Sequence, residues 1–303
     1  MDLRRRLNTA RAALVLLAAL ACGAAACAQV RVRDIAGNPV VLAQPARRVI
    51  SLAPHLTELM FTVGAGDAMV GTVEYADFPA QARRVPRVGD NALLDLERIV
   101  ALQPDLLLVW RHGNSPQQLE RLAALHVPTY ASEARSLADI ARTLRDLGTL
   151  AGTAPVAEQR ATAFEAAVED LRARHGGQRR LRVFYQIWDQ PLITINGEHL
   201  ISQLLDVCGA DNVFAEQRLL TPTVSTEAVL WADPDAIVAG WSDSYGGSGP
   251  LAVWRPLQSM RAVRQGHLLQ VDPDLLHRQS DRVIGGAREL CDKLDAVRTS
   301  PAR

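Results

Sequence analysis

The sequence predicts an α/β protein of two related lobes, each built on a mainly parallel sheet, joined by one long backbone helix. Three observations predict it. Apolar strand-like runs alternate with helical runs along the chain, the pattern of parallel α/β layers. One unit occurs twice: "LERIVALQPDLLLVW" (96–110) and "TEAVLWADPDAIVAG" (226–240) each place a Glu on a short apolar helix, then Pro-Asp, then a hydrophobic strand. Between the two copies, "TAPVAEQRATAFEAAVEDLRARHGG" reads as one long helix, with Pro155 in its first turn and Gly176–Gly177 closing it. The expected organisation is an N-terminal segment 1–28, a first lobe 29–150, a connecting helix 151–177 and a second lobe 178–303.

The elements arise from local pattern. In "RVISLAPHLTEL", Val49 to Leu52 is a short strand, and "HLTELMFTVGAG" continues as a helix stopped by Gly64 and Gly66. "AMVGTV" is the next strand. "LLDLERIVALQ" is a helix with Leu96, Ile99 and Val100 on its predicted buried face, so that Glu97 points elsewhere. Pro104 ends it before the buried strand "DLLLVW". "SPQQLERLAALH" is helical and "VPTYA" extended. "SLADIARTLRDLGTLAG" is a helix with Ser136 as N-cap and Asp139 three residues on. The second lobe restarts with strand "LRVFYQI", a turn at Asn196–Gly197 and a helix stopped by Gly209. Helix "STEAVLWA", strands "DAIVAG" and "HLLQV", and a C-terminal helix from "SDRVIGG" complete it. No Gly/Ser/Pro-rich linker separates the halves.

The N-terminus carries Arg4, Arg5 and Arg6 ahead of the apolar "AALVLLAALACGAAA", the layout of an export signal, with "ACA" at 26–28 as cleavage site. The product is expected to be exported to the periplasm, cleaved near Ala28. A lipid-anchored form on Cys22 or Cys27 is the alternative. Cleavage leaves Cys208 and Cys291. Two cysteines in an oxidising compartment suggest one disulfide, against two buried thiols.

The 303 residues are 48% hydrophobic and 22% charged, with a formal net charge of +0. That balance is globular and leaves no basic excess to neutralise nucleic-acid phosphates. No G-x-S-x-G, H-E-x-x-H, P-loop or G-x-G-x-x-G pattern occurs, so no catalytic residue is assigned. His55, His112, Glu198 and Asp274 are the one set that folding would need to converge for a metal-dependent enzyme. Scattered, locally bonded imidazoles are the simpler reading, and no metal site is predicted. A cleft between two lobes is the default ligand site. Its candidates lie at strand C-termini: Tyr75, Trp110, Arg111, Trp188, Trp241, and "DLLHR" at 274–278. Asp274 and Arg278 offer charges to polar substituents, and the aromatics offer broad apolar faces. Glu97 and Glu227 occupy matching positions in the two copies. A twofold-symmetric partner with arginine pockets suits them.

The same residues carry a family resemblance. "RVISLAPHLTEL", "YADFP", "LERIVALQPDLLLVWR", "LLDVCGADNVF", "VSTEAVL" and "ARELCDKL" resemble motifs of bacterial periplasmic substrate-binding proteins of the helical-backbone class (class III), and most of all its cobalamin-binding members. The similarity runs over about residues 48–294. It implies a monomeric binder without chemistry of its own, with cobalamin (vitamin B12) or a related corrinoid as transported ligand rather than cofactor. It implies that Glu97 and Glu227 dock on a membrane ABC permease dimer and that Cys208 and Cys291 are bridged. Tyr75, Trp110 and the stretch Asp274, Leu275, Leu276, His277, Arg278 match cobalamin contacts. The chain departs from that pattern at Asn91, where the family's cobalamin binders have Trp, and at Ile187, Ile193 and Thr221, where other aromatics fall. Trp188 and Trp241 are available to compensate. Haem binders of the family carry Tyr at the position of Phe78, which cannot ligate iron. A ferric siderophore would want several cleft arginines, of which Arg111 and Arg278 are two.

Overall fold

The computed structural model describes residues 29–90, 93–241 and 249–300. The predicted export signal and Asn91 lie outside them. The chain opens with an antiparallel hairpin, β1 (Val30–Arg33) and β2 (Pro39–Leu42), which the sequence pattern does not announce. The first sheet then forms from β3 (Val49–Ser51), β4 (Met69–Thr72), β5 (Leu106–Trp110) and β6 (Thr129–Ser132). The second forms from β7 (Leu181–Gln186), β10 (Ala210–Asn212), β11 (Ala236–Gly240) and β12 (Leu268–Val271). The strand orders are β4-β3-β5-β6 and β10-β7-β11-β12, and every pairing in them is parallel.

These orders explain the repeat. Strands β3, β4, β5 and β6 correspond one for one to β7, β10, β11 and β12. Helix α1 (Pro54–Thr62) links the first pair as α6 (Leu200–Val207) links the second. Helices α2 (Leu96–Ala101) and α7 (Thr226–Ala232) stand in equivalent places, each one turn before the central strand β5 or β11. Asp95 caps α2 by accepting from the Arg98 N–H, and Ser225 caps α7 by accepting from the Ala228 N–H. The α2 segment is shorter than its apolar pattern predicts. Leu94 is drawn into a bridge with Gly89, so the helix starts only after Asp95. Its face also differs: Ile99 is fully buried, Leu96 half-buried, and Val100 is 54% exposed. A six-residue helix sinks one side chain, not three.

Helix α4 (Leu137–Ala151) has the predicted Ser136–Asp139 capping box and ends on Gly152 at φ 74°. Only glycine adopts that left-handed conformation without strain. The connecting helix α5 (Ala154–His175) has 22 residues, about 33 Å at 1.5 Å per residue. It packs closely on α4 because Gly148 has no side chain where Ala157 approaches; a Cβ there would lie 2.1 Å from the Ala157 Cβ. Arg145 then clamps the two helices, bonding Glu158 and Glu165 through bidentate contacts of 2.6–2.9 Å.

One apolar core runs through the whole molecule. Leu108 and Tyr130 of the first sheet, Leu144 and Phe164 of the long helices, and Val183 and Leu204 of the second lobe belong to it. The outer face of each sheet has its own smaller core, around Ile99 and Leu107 in one lobe and Phe184 and Trp254 in the other. Helix α10 (Val283–Thr299) is tied to the α6 segment by the Cys208–Cys291 disulfide, with S–S 2.03 Å.

Candidate binding cleft

Strand C-termini of both lobes converge on one cavity of about 290 Å³. From the first lobe come Trp110 at the end of β5, His112, and Glu133 just after β6. From the second come Ile187 after β7, His199 and Leu200 at the start of α6, and Leu220 and Thr221. Leu276, His277 and Gln279 close it, from helix α9 (Pro273–Leu276) and the loop beyond it. Open α/β sheets bind ligands at this end of their strands.

Trp110 is fixed from two sides. His55 meets its ring edge-on, with centroids 5.2 Å apart. Gly113 lies beneath it; a Cβ on Gly113 would sit 1.8 Å from the indole, so any larger residue displaces the ring. The indole Nε1 and the His55 Nε2 have no partner among the described residues. Asn114 accepts from the Trp110 N–H and donates to the Leu52 carbonyl, tying the loop after β5 to β3.

Three imidazoles near the cavity are held neutral. Burial, with the nearby Arg278 charge, lowers His55 from 6.5 to about 3. Burial lowers His199 and His277 to about 4 each, with the neighbouring His277 adding to the effect on His199. By surface area His277 is exposed. That surface faces the protein-lined cavity, so it weighs least of the three. Tyr185, whose phenol burial pushes up, bonds the His277 Nε2 at 2.9 Å. Each of these histidines binds its proton more weakly folded than unfolded. Stability is therefore present at neutral pH and lost as pH falls below about 6.5 toward about 4. The raised Asp146 and Asp281 carboxyls, both displaced upward by burial, oppose this only at the acid end. Urea unfolding should show stability dropping through that window with net proton uptake. A flat profile would contradict neutral imidazoles at buried His55 and half-buried His199.

The lobes are joined beside the cleft by an ionic seam. Glu58 on α1 is 1% exposed, and its carboxylate accepts from Arg278 at 2.8 Å, Arg282 at 3.0 Å and the Ser280 hydroxyl at 2.6 Å. Arg278 also bonds Asp77 at 2.9 Å and Asp274 at 3.1 Å. Burial works against the Arg278 charge, but these carboxylates outweigh it and raise its pKa. Asp77 ends up lowered, because the Arg278 contact overcomes the upward push of burial. Arg282 lies over the Phe78 ring at 3.9 Å, and Thr62 donates to Asp281 at 3.1 Å. Phe78 is thus engaged across the seam.

Of the residues singled out from sequence, Trp110, Leu276 and His277 line the cavity, as do the departures Ile187 and Thr221. Ile193 instead pairs with Trp188 in the small hairpin β8–β9 (Trp188–Asp189 and Leu192–Ile193). Arg111 faces a separate recess shared with His112 and Glu133. Tyr75 is 75% exposed at φ 63°, and Trp188 is 58% exposed with its Nε1 donating to the Gln190 carbonyl. Trp241 is half-buried and its N–H bonds the Val271 carbonyl. Leu275 packs towards Gly285 and Gly286. Asp274 and Arg278 belong to the ionic seam, not to the cavity lining. His55, His112, Glu198 and Asp274 do not converge; among the described residues no group of three or more metal-ligating side chains forms. Glu58, Glu133, His199 and Gln279 were not singled out. The one signal for Glu58 was a charge on the apolar face of "HLTELM".

This fold and cleft define a binder, and residues 49–275 match the model of the periplasmic binding protein family, to which the chain belongs. It is 32% identical to the vitamin B12-binding protein of Vibrio campbellii, over 84% of this chain and 91% of that one. With the vitamin B12-binding protein of Pectobacterium carotovorum identity is 36%, over 83% and 89%. The crystal structure of the periplasmic vitamin B12 binding protein of Vibrio cholerae is similar at TM-score 0.76 and 32% identity, covering 84% of this chain and 99% of that one. The family comprises solute-binding proteins rather than enzymes. No helix among the described residues is long and apolar enough to cross a membrane.

Proposed function

We propose that this protein is the exported solute-binding component of an ABC importer that captures cobalamin, or a related corrinoid, between its lobes and presents it to the permease. The observation that carries this reading is the Trp110-walled cavity between the strand C-termini of both lobes, in a chain 32–36% identical to vitamin B12-binding proteins. The lobes are taken as 29–150 and 178–303 around the connecting segment 151–177, in a monomer released by cleavage near Ala28.

A corrinoid is larger than the drug-sized ligands that fill cavities of about 300–1,000 Å³. The cavity here is about 290 Å³, so capture requires the lobes to part. Parting them widens an apolar slot between Trp110 on one side and Ile187 and Leu276 on the other. Trp188 and Leu219, exposed by 58% and 69%, adjoin Ile187 and Leu220 and extend that face outward. Tyr75 offers a further exposed ring, and Trp241 a half-buried one. These aromatics supply contact area that Ile187, Ile193 and Thr221 do not. Arg111 offers a cation to the ligand's polar periphery.

Glu97 and Glu227 each hold the second position of a short capped helix and are exposed. Its own backbone N–H, with the Ser225 hydroxyl, keeps the Glu227 carboxyl below its usual range. Trp231, 93% exposed, lies one turn beyond Glu227, and Val100 one turn beyond Glu97. Each lobe thus offers a carboxylate beside an uncovered apolar side chain, suited to an arginine set in an apolar rim. Replacing both glutamates by Ala should abolish uptake of labelled cyanocobalamin by cells that depend on this protein, with affinity for the ligand in solution retained. Uptake at the unmodified rate would remove the docking role.

A further inference from the structure

The three imidazoles that line the cavity are not equivalent. His199 caps α6 by accepting from the Ile201 N–H at its Nδ1, so in the neutral ring the proton sits on Nε2 and no lone pair is left. His277 has its Nε2 engaged with the Tyr185 hydroxyl at 2.9 Å, so that nitrogen is not available to a ligand. His112 differs. Its Nδ1 lies 2.8 Å from Glu133 Oε2. A carboxylate only accepts, so Nδ1 carries the proton and the lone pair of the neutral ring is on Nε2.

Glu133 is a built support. Its side chain is 6% exposed, and it also accepts from the His112 backbone N–H at 3.2 Å. Gln279, from the other lobe, donates to its second oxygen at 3.4 Å and accepts from the Ala134 N–H at 2.9 Å. The imidazole itself is 55% exposed, and Nε2 has no partner among the described residues. A carboxylate that fixes the tautomer and aims the other nitrogen outward is the support that metal-ligating histidines carry in proteins.

We propose that the His112 Nε2 is an axial ligand to the cobalt of the bound corrinoid, so that the cleft selects corrinoids with an exchangeable axial position. This rests on the corrinoid reading above. The step is ligand exchange: the cobalt–water bond breaks, a cobalt–nitrogen bond forms from the Nε2 lone pair, and water leaves. No electron is transferred.

The test compares aquocobalamin, whose axial water exchanges readily, with cyanocobalamin, whose cyanide does not. Binding of aquocobalamin should shift its visible spectrum from water to nitrogen ligation and be at least tenfold tighter than that of cyanocobalamin. His112→Ala should abolish the shift and bring the two affinities together, and Glu133→Ala should reduce the preference. Cob(II)inamide, which lacks a nucleotide base, should show nitrogen superhyperfine splitting in its electron paramagnetic resonance spectrum with the unmodified protein and none with His112→Ala. Both cobalamins binding equally, with unshifted spectra, would overturn axial ligation and leave corrinoid capture standing. A shift that persists in His112→Ala would assign the ligand elsewhere. Binding of neither would overturn both readings.

Discussion

Glu58→Ala is expected to destabilise the protein by about 3 kcal/mol, the lower end of the cost of removing one partner from a buried ion pair. The carboxylate is 1% exposed and holds Arg278, Arg282 and Ser280, which lie more than 200 positions further along the chain. Removing it leaves two guanidinium groups crowded together. The cost is at the lower end because Asp77 and Asp274 still hold Arg278, and Arg282 is 22% exposed. Glu58→Gln keeps an acceptor of the same shape and should cost less. Equilibrium urea unfolding of both variants checks this. A loss below about 1 kcal/mol for the alanine variant would mean that the seam is as inconsequential as a surface pair.

Cutting the disulfide is the second large effect. The bridge closes a loop of 83 residues, from the end of α6 to the middle of α10. Constraining a loop of that length in the unfolded chain is worth about 4.5 kcal/mol in the chain-entropy account. Both sulfurs are fully buried. Replacing both cysteines by Ala should therefore lower unfolding stability by about 2–5 kcal/mol. The unmodified chain from Gln29 onward should titrate no free thiol until it is reduced. Free thiol in the oxidised, folded protein would contradict the pairing.

The large design of the molecule was legible because it is written in local pattern. The 96–110 and 226–240 units mark the same place in two sheets of identical strand order. The Ser136–Asp139 box and Gly152 are signals of a few residues and fixed the ends of α4. Trp110 and His277 were legible as cleft residues because strand C-termini face ligand sites in such sheets. What escaped depends on encounters between distant segments. Nothing near Glu58 in sequence announces Arg278 or Arg282, so Arg278 read as a free cation for a ligand rather than a strut between lobes. His112 read as a loop imidazole, since Glu133 and Gln279 reach it only after folding. Periodicity places Val100 inside, but a helix of one and a half turns is too short for periodicity to decide burial.

The central claim is corrinoid capture between the lobes, and calorimetric titration of the mature protein with cyanocobalamin tests it most directly. The account predicts saturable one-to-one binding with a Kd near or below about 1 μM, about −8 kcal/mol. That result would show that Trp110, Trp188 and their neighbours compensate for the smaller side chains at Ile187, Ile193 and Thr221. Absence of saturable binding, by calorimetry and by equilibrium dialysis alike, would contradict it.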